Sequence, residues 1–99
     1  MTVTLLPVHP GEVLREEFLL PYGISAGALA KATHVPRTRI ERLVREEVDL
    51  TPDTALRLAR YFGTSPAFWM NLRTRYALEK AQDQLSDTLD QIRPMAHAI

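Results

Sequence analysis

Residues 25–45, SAGALAKATHVPRTRIERLVR, read as two short helices joined by a tight turn. Ser25 is placed to cap the first of them, which Ala26 to Thr33 carry. His34, Val35 and Pro36 make the turn, and a second short helix runs from about Pro36 to Arg45. At ~100° per residue, Ile40, Leu43 and Val44 of that helix share one side. Arg37, Thr38, Glu41, Arg42 and Arg45 gather on the other, with Arg39 on the flank. Ala30 is small where two helices must approach closely, and Leu29 and Val35 suit a shared core. A small residue in one helix and aliphatics at set spacing in the next is what a helix-turn-helix requires.

The exposed face is rich in arginine, and a small helix presented with such a face fits a DNA major groove. Arg37 and Thr38 lie in the first turn, where a recognition helix meets base edges, and Arg42 is the next candidate for a base contact. Arginine can bond bidentately to guanine, worth roughly 1–3 kcal/mol of discrimination. Arg39 and Arg45 are better placed as phosphate clamps, and Lys31 and His34 can approach the backbone. Ser25 and Glu41 complete the set expected to face DNA. The competing reading makes each arginine a solvated residue paired with Glu41, Glu46 or Glu47.

Outward from this segment, His9-Pro10-Gly11-Glu12 opens an earlier helix, with proline in the first turn. Val13, Leu14 and Phe18 give it helical spacing, and Pro21-Tyr22-Gly23 ends it. Thr51-Pro52-Asp53 is a strong start signal for a fourth helix. Leu56, Ala59 and Phe62 form its expected inward stripe, with Leu58 near the edge, and Gly63 stops it. Thr64-Ser65-Pro66 starts a fifth, whose apolar face holds Phe68, Trp69, Leu72 and Tyr76. Its pattern continues through Leu85, Leu89 and Ile92 to Pro94. The expectation is an all-α bundle of five helices. Residues 1–8 form an N-terminal arm, free to pair as an edge strand, pack on the body or stay mobile. Residues 9–80 make the helix-turn-helix domain, and 81–99 a C-terminal helical extension.

Ninety-nine residues make one domain with a modest core, and the 45% hydrophobic fraction is ordinary for a folded chain. The net charge of zero hides alternating blocks. Residues 31–45 and 57–76 each carry +4, residues 46–56 carry −4, and the two ends carry −2 each. A local basic face is therefore compatible with a neutral total. There is no cysteine, hence no disulfide and no thiolate chemistry. The apolar runs are too short to span a bilayer, and no secretory signal is visible, so a cytoplasmic protein is expected.

Other chemistry finds little support. Glu16-Glu17 and Glu46-Glu47 are adjacent carboxylates, which point apart on a helix. His9, His34 and His97 lack metal-ligand spacing. Ser25 and Ser65 look like caps, and no glycine-rich phosphate loop is present. The expectation is a protein that is not an enzyme, with no cofactor and no metal.

HPGEVLREEFLLP at 9–21, the helix-turn-helix at 25–45 and TPDTALRLARYFGTSPAFWMNLRTRYAL at 51–78 resemble the HigA-type antitoxins, part of the lambda-repressor-like (XRE) group. The likeness spans about residues 9–80, and the string from Asp53 through Tyr76 is its most specific part. It implies a five-helix lambda-repressor-like fold, a homodimer and a palindromic operator in double-stranded DNA. It also implies a HigB-type toxin partner, an mRNA-cleaving ribonuclease of the RelE class. Three positions depart from the pattern: His34 stands where the turn commonly has glycine, Pro36 where the recognition helix commonly starts with serine or threonine, and the acidic run Glu46-Glu47-Val48-Asp49 where glycine and basic residues are common.

One helix-turn-helix contacts too few phosphates for tight binding, so dimerisation is expected, with half-sites roughly 34 Å apart. Phe68 is assigned to the core, and Trp69, Leu72, Tyr76 and Leu85 to the dimer interface. For a basic partner, the acidic first helix (Glu12, Glu16, Glu17) and the arm are candidates by charge. Three functions follow: an operator-binding antitoxin, a stand-alone repressor without a toxin, or a protein-interaction module that has lost DNA binding.

Overall fold

The computed structural model describes residues 6–96. Five helices follow one another, with no strand among the described residues. Helix α1 comprises Pro10–Val13, a π-helical stretch Leu14–Leu19, and Leu20–Tyr22, without a break. Helices α2 (Ala26–Thr33) and α3 (Arg37–Val44) form the helix-turn-helix, followed by α4 (Pro52–Phe62) and α5 (Pro66–Asp90).

The helix starts follow from cap chemistry. Ser25, Thr51 and Ser65 each accept the N–H three residues on, from Ala28, Thr54 and Phe68. At α1 the cap is His9, whose Nδ1 accepts from the Gly11 N–H at 2.9 Å. The widened turn in α1 has a cause in Pro21, which has no N–H to return to Glu17 and whose ring crowds that carbonyl. The preceding turn relaxes to i→i+5 bonding, with the Leu20 N–H on the Arg15 carbonyl. Gly23, at φ +64°, then closes the helix.

The core gathers Leu14 and Leu19 of α1, Leu29 and Ala30 of α2, Ile40 and Leu43 of α3, Leu58 of α4 and Trp69 of α5. Fully burying one such leucine contributes about 1.5–3 kcal/mol. Gly11 permits a close approach of two backbones: a Cβ there would sit 1.9 Å from the Leu43 carbonyl oxygen. This is where the start of α1 meets the end of α3.

Two expectations are corrected. Leu56 is exposed, and the inward stripe of α4 runs through Ala55, Leu58 and Ala59, with Phe62 partly buried. That set has true helical spacing, and Leu56 falls outside it. Phe68 and Trp69 exchange roles. Trp69 is fully enclosed, its ring 5.0 Å from Phe18 and its Nε1 donating to Thr64 Oγ1 at 2.7 Å, whereas Phe68 is exposed. A buried indole needs a partner for its N–H, and the threonine ahead of the helix supplies it. Trp69 therefore belongs to the core of its own chain rather than to a surface free for a second copy.

The other residues assigned to a dimer differ among themselves. Leu72 packs partly against the core. Tyr76 stands edge-on to His9 at 4.8 Å. Leu85 is exposed, as are Leu78 and Leu89. Of the arm, residues 1–5 lie outside the described residues, and Leu6 and Pro7 lie beside Tyr76 and Lys80 of α5. His97 is also outside them.

Candidate nucleic-acid interface

Helix α3 is held from behind. Ile40 and Leu43 are buried and Val44 is partly buried, while Arg37, Thr38, Arg39, Arg42 and Arg45 are exposed. Glu41 is half-buried. Lys31 and Ser25 are exposed on α2. The face anticipated from the wheel is thus present on the surface of the two-helix unit.

Its charges are organised. Arg37 Nε donates to Glu41 Oε2 at 3.0 Å, one helical turn away. Arg42 Nε lies 3.7 Å from Glu47 Oε1. Arg39, Arg45 and Lys31 have no carboxylate within 4.0 Å among the described residues. Exposed ion pairs of this kind are worth roughly 0–1 kcal/mol, so they do not lock an arginine away from a ligand.

The acidic run after α3 is neutralised piece by piece. Glu46 meets Arg15 at 3.2 Å, Glu47 meets Arg42, and Asp49 meets Arg73 at 2.9 Å. The sequence presents it as a block of repulsion; in the fold each carboxylate has a cation beside it.

The turn itself carries strain. His34 adopts φ +58°, ψ +42°, the left-handed region where glycine is at ease. Pro36 precedes α3 without a side-chain cap, as its chemistry requires. Two arginines outside α3 brace the unit, and sequence reasoning missed both. Arg57 Nη1 donates to the carbonyls of Thr33 at 3.0 Å and His34 at 2.9 Å, while its Nε holds Asp53 at 2.7 Å. Arg15 Nη1 donates to the Val44 carbonyl, and its Nη2 to Glu46. Its hydrogen bond to Glu16, then its contacts with Glu46, raise the Arg15 pKa above the ordinary arginine value despite partial desolvation. The one available signal was the left-handed corner, whose unpaired carbonyls call for a donor.

A concavity of about 600 Å³ opens between the end of α2 and α4 and is lined by Ala32, His34, Leu56, Arg57, Arg60 and Tyr61. No group of three or more metal-ligating side chains assembles among the described residues. No helix among them is long and apolar enough to cross a membrane.

The sequence matches the helix-turn-helix family over residues 14–69. Virulence-associated protein I of Dichelobacter nodosus is 56% identical over 75 residues, covering 76% of this chain and 69% of the relative. Antitoxin HigA-1 of Vibrio cholerae is 35% identical over 89 residues, covering 90% and 84%. The fold is similar to Pseudomonas aeruginosa antitoxin HigA, solved with the higBA promoter, at 43% identity and a TM-score of 0.86 over 90% of this chain and 98% of that one. It is equally similar to antitoxin GraA in complex with its operator, at 38% identity and a TM-score of 0.86 over 99% of each chain. With a helix-turn-helix braced in this way and these likenesses along most of its length, the chain belongs to the HigA-type antitoxins, DNA-binding regulators of the lambda-repressor-like group rather than enzymes.

Proposed function

We propose that this chain binds the operator of its own operon as a homodimer and neutralises a HigB/RelE-like mRNA-cleaving toxin. One observation carries the DNA part: Arg37, Thr38, Arg39 and Arg42 are all exposed on a helix whose opposite face, Ile40 and Leu43, is fully buried. Two solved relatives of the same fold are in complex with a promoter or an operator, which supports the same use here. In this reading α3 enters the major groove with Arg37, Thr38 and Arg42 at base edges. Arg39, Arg45, Lys31 and the N-terminal end of α2 at Ser25 engage phosphates. Residues 9–80 form the DNA-binding domain, with 1–8 as an arm and 81–99 as an extension of α5. The dimer contact uses Leu85 and its exposed neighbours Leu78 and Leu89, with Tyr76 at its edge.

The toxin part rests on family membership and on charge. Glu12 and Glu17 of α1 have no arginine or lysine within 4.0 Å among the described residues, which leaves an acidic strip for a basic partner.

The test is operator binding by the Arg37→Ala/Arg42→Ala double variant. Affinity for the promoter DNA of its own operon is expected to fall more than tenfold; unchanged affinity rules out this helix as the DNA reader. Arg39→Ala and Arg45→Ala are each expected to weaken all duplexes alike and to flatten the salt dependence by about one unit of slope. Co-expression with the adjacent reading frame separates an antitoxin, which co-purifies with that product and relieves its toxicity, from a stand-alone repressor, which does neither.

A further inference from the structure

We infer that Glu41 is a positioning residue that presents Arg37 to a guanine in the operator, an inference that rests on the DNA-binding role proposed above. The observations concern how Arg37 is held. It is the first residue of α3, and its side chain is 72% exposed. Its Nε is engaged by Glu41 at 3.0 Å, while neither terminal nitrogen has a hydrogen-bond partner among the described residues. Beneath it lies Gly27 of α2: a Cβ there would come within 3.5 Å of both Cζ and Nε of Arg37. The guanidinium therefore rests across bare backbone, tethered at one nitrogen, with its two-pronged end unspent.

That end is the part of arginine that meets guanine O6 and N7 together. A phosphate accepts a cation from many directions, but a base edge requires a plane and a fork in one orientation. Arg39 and Arg45 lack any carboxylate tether, and the Arg42–Glu47 separation of 3.7 Å is beyond hydrogen-bond reach. Among the α3 arginines, Arg37 alone is pre-oriented by a hydrogen bond from its own helix. Glu41 also places a negative charge on a face that approaches phosphates, which by itself weakens binding to any duplex. Orienting Arg37 and repelling phosphate predict opposite signs when Glu41 is removed, and this makes the inference testable.

The experiment selects duplexes from a randomised library with the full-length protein and measures affinity for an alternating A/T duplex as a guanine-free probe. The wild type is expected to enrich a guanine at one position in each half-site. Arg37→Lys lowers that preference about tenfold, Glu41→Ala lowers it by about three- to fivefold, the ceiling for an exposed ion pair, and Glu41→Gln, whose amide oxygen still accepts from Nε, restores much of it. Glu41→Ala binds the A/T probe more tightly than the wild type, an increase that general damage to the helix would not produce. Gly27→Leu, which crowds the guanidinium without changing charge, reproduces the loss of guanine preference. Guanine preference that survives in Glu41→Ala, or that falls in parallel with A/T binding, overturns the inference and leaves the operator reading intact. A wild type that enriches no sequence overturns the operator reading itself.

Discussion

His34 after α2 and Glu46 after α3 are both non-glycine residues in the left-handed region, at φ +58° and +64°, and each is braced by an arginine from another helix. At the first corner Arg57 of α4 binds only backbone, the carbonyls of Thr33 and His34. At the second, Arg15 of α1 binds one carbonyl, Val44, and the Glu46 carboxylate itself. The first corner thus has strain compensated from outside. The second makes the strained residue part of its own compensation. Between them they brace the corners on either side of α3, so α3 is oriented by tertiary arginines where glycine turns would otherwise serve.

The comparison can be broken most severely at Gly11, which seats α1 on the carbonyl of Leu43 beside the second corner. Gly11→Ala is expected to destabilise the fold by about 3 kcal/mol in denaturant unfolding, the upper range for overpacking. Arg57→Ala comes next, at about 1–2 kcal/mol, because two carbonyls at a helix end lose a charged donor while retaining some access to water. Arg15→Ala should cost less, about 1 kcal/mol, since its ion pairs are partly exposed and screened; adding salt should shrink this difference. The smallest effects sharpen the contrast most. His34→Gly relieves strain without removing a side-chain hydrogen bond or ion pair and is expected to stabilise by about 0.5–1 kcal/mol. Glu46→Gly relieves the same strain but forfeits the pair with Arg15, leaving a net change near zero. Equal gains at both corners in thermal unfolding would show that the Arg15–Glu46 pair contributes nothing.

How much of this was legible in the chain divides along the same line. Local chemistry announced itself: Ser25, Thr51 and Ser65 are caps, Gly23 and Gly63 are stops, and Ile40 and Leu43 face inward. Each depends on residues within one helical turn. The two bracing arginines depend on partners 23 to 31 residues away and have no periodic signature. Neighbours about 100° apart on a wheel are also hard to rank when both are apolar, which is how Phe68 and Trp69 came to be exchanged. The arginine face of α3 could be read from its spacing, but which of its members is tethered could not. That turns on a carboxylate rotamer and on the bare backbone of Gly27 in a different helix.

The paired acidic run after α3 has one more consequence, for thermodynamic counting on DNA. An arginine that leaves a carboxylate for a phosphate exchanges one anion for another, and the abandoned carboxylate gathers mobile cations of its own. The net release of ions is then smaller than the number of contacts made. Arg42 leaving Glu47 for a base edge frees a carboxylate in the same way, so the slope of affinity against salt for this protein should undercount the phosphate contacts of Arg39, Arg45 and Lys31. Neutralising Glu47 would steepen that slope without adding a single new contact to the duplex.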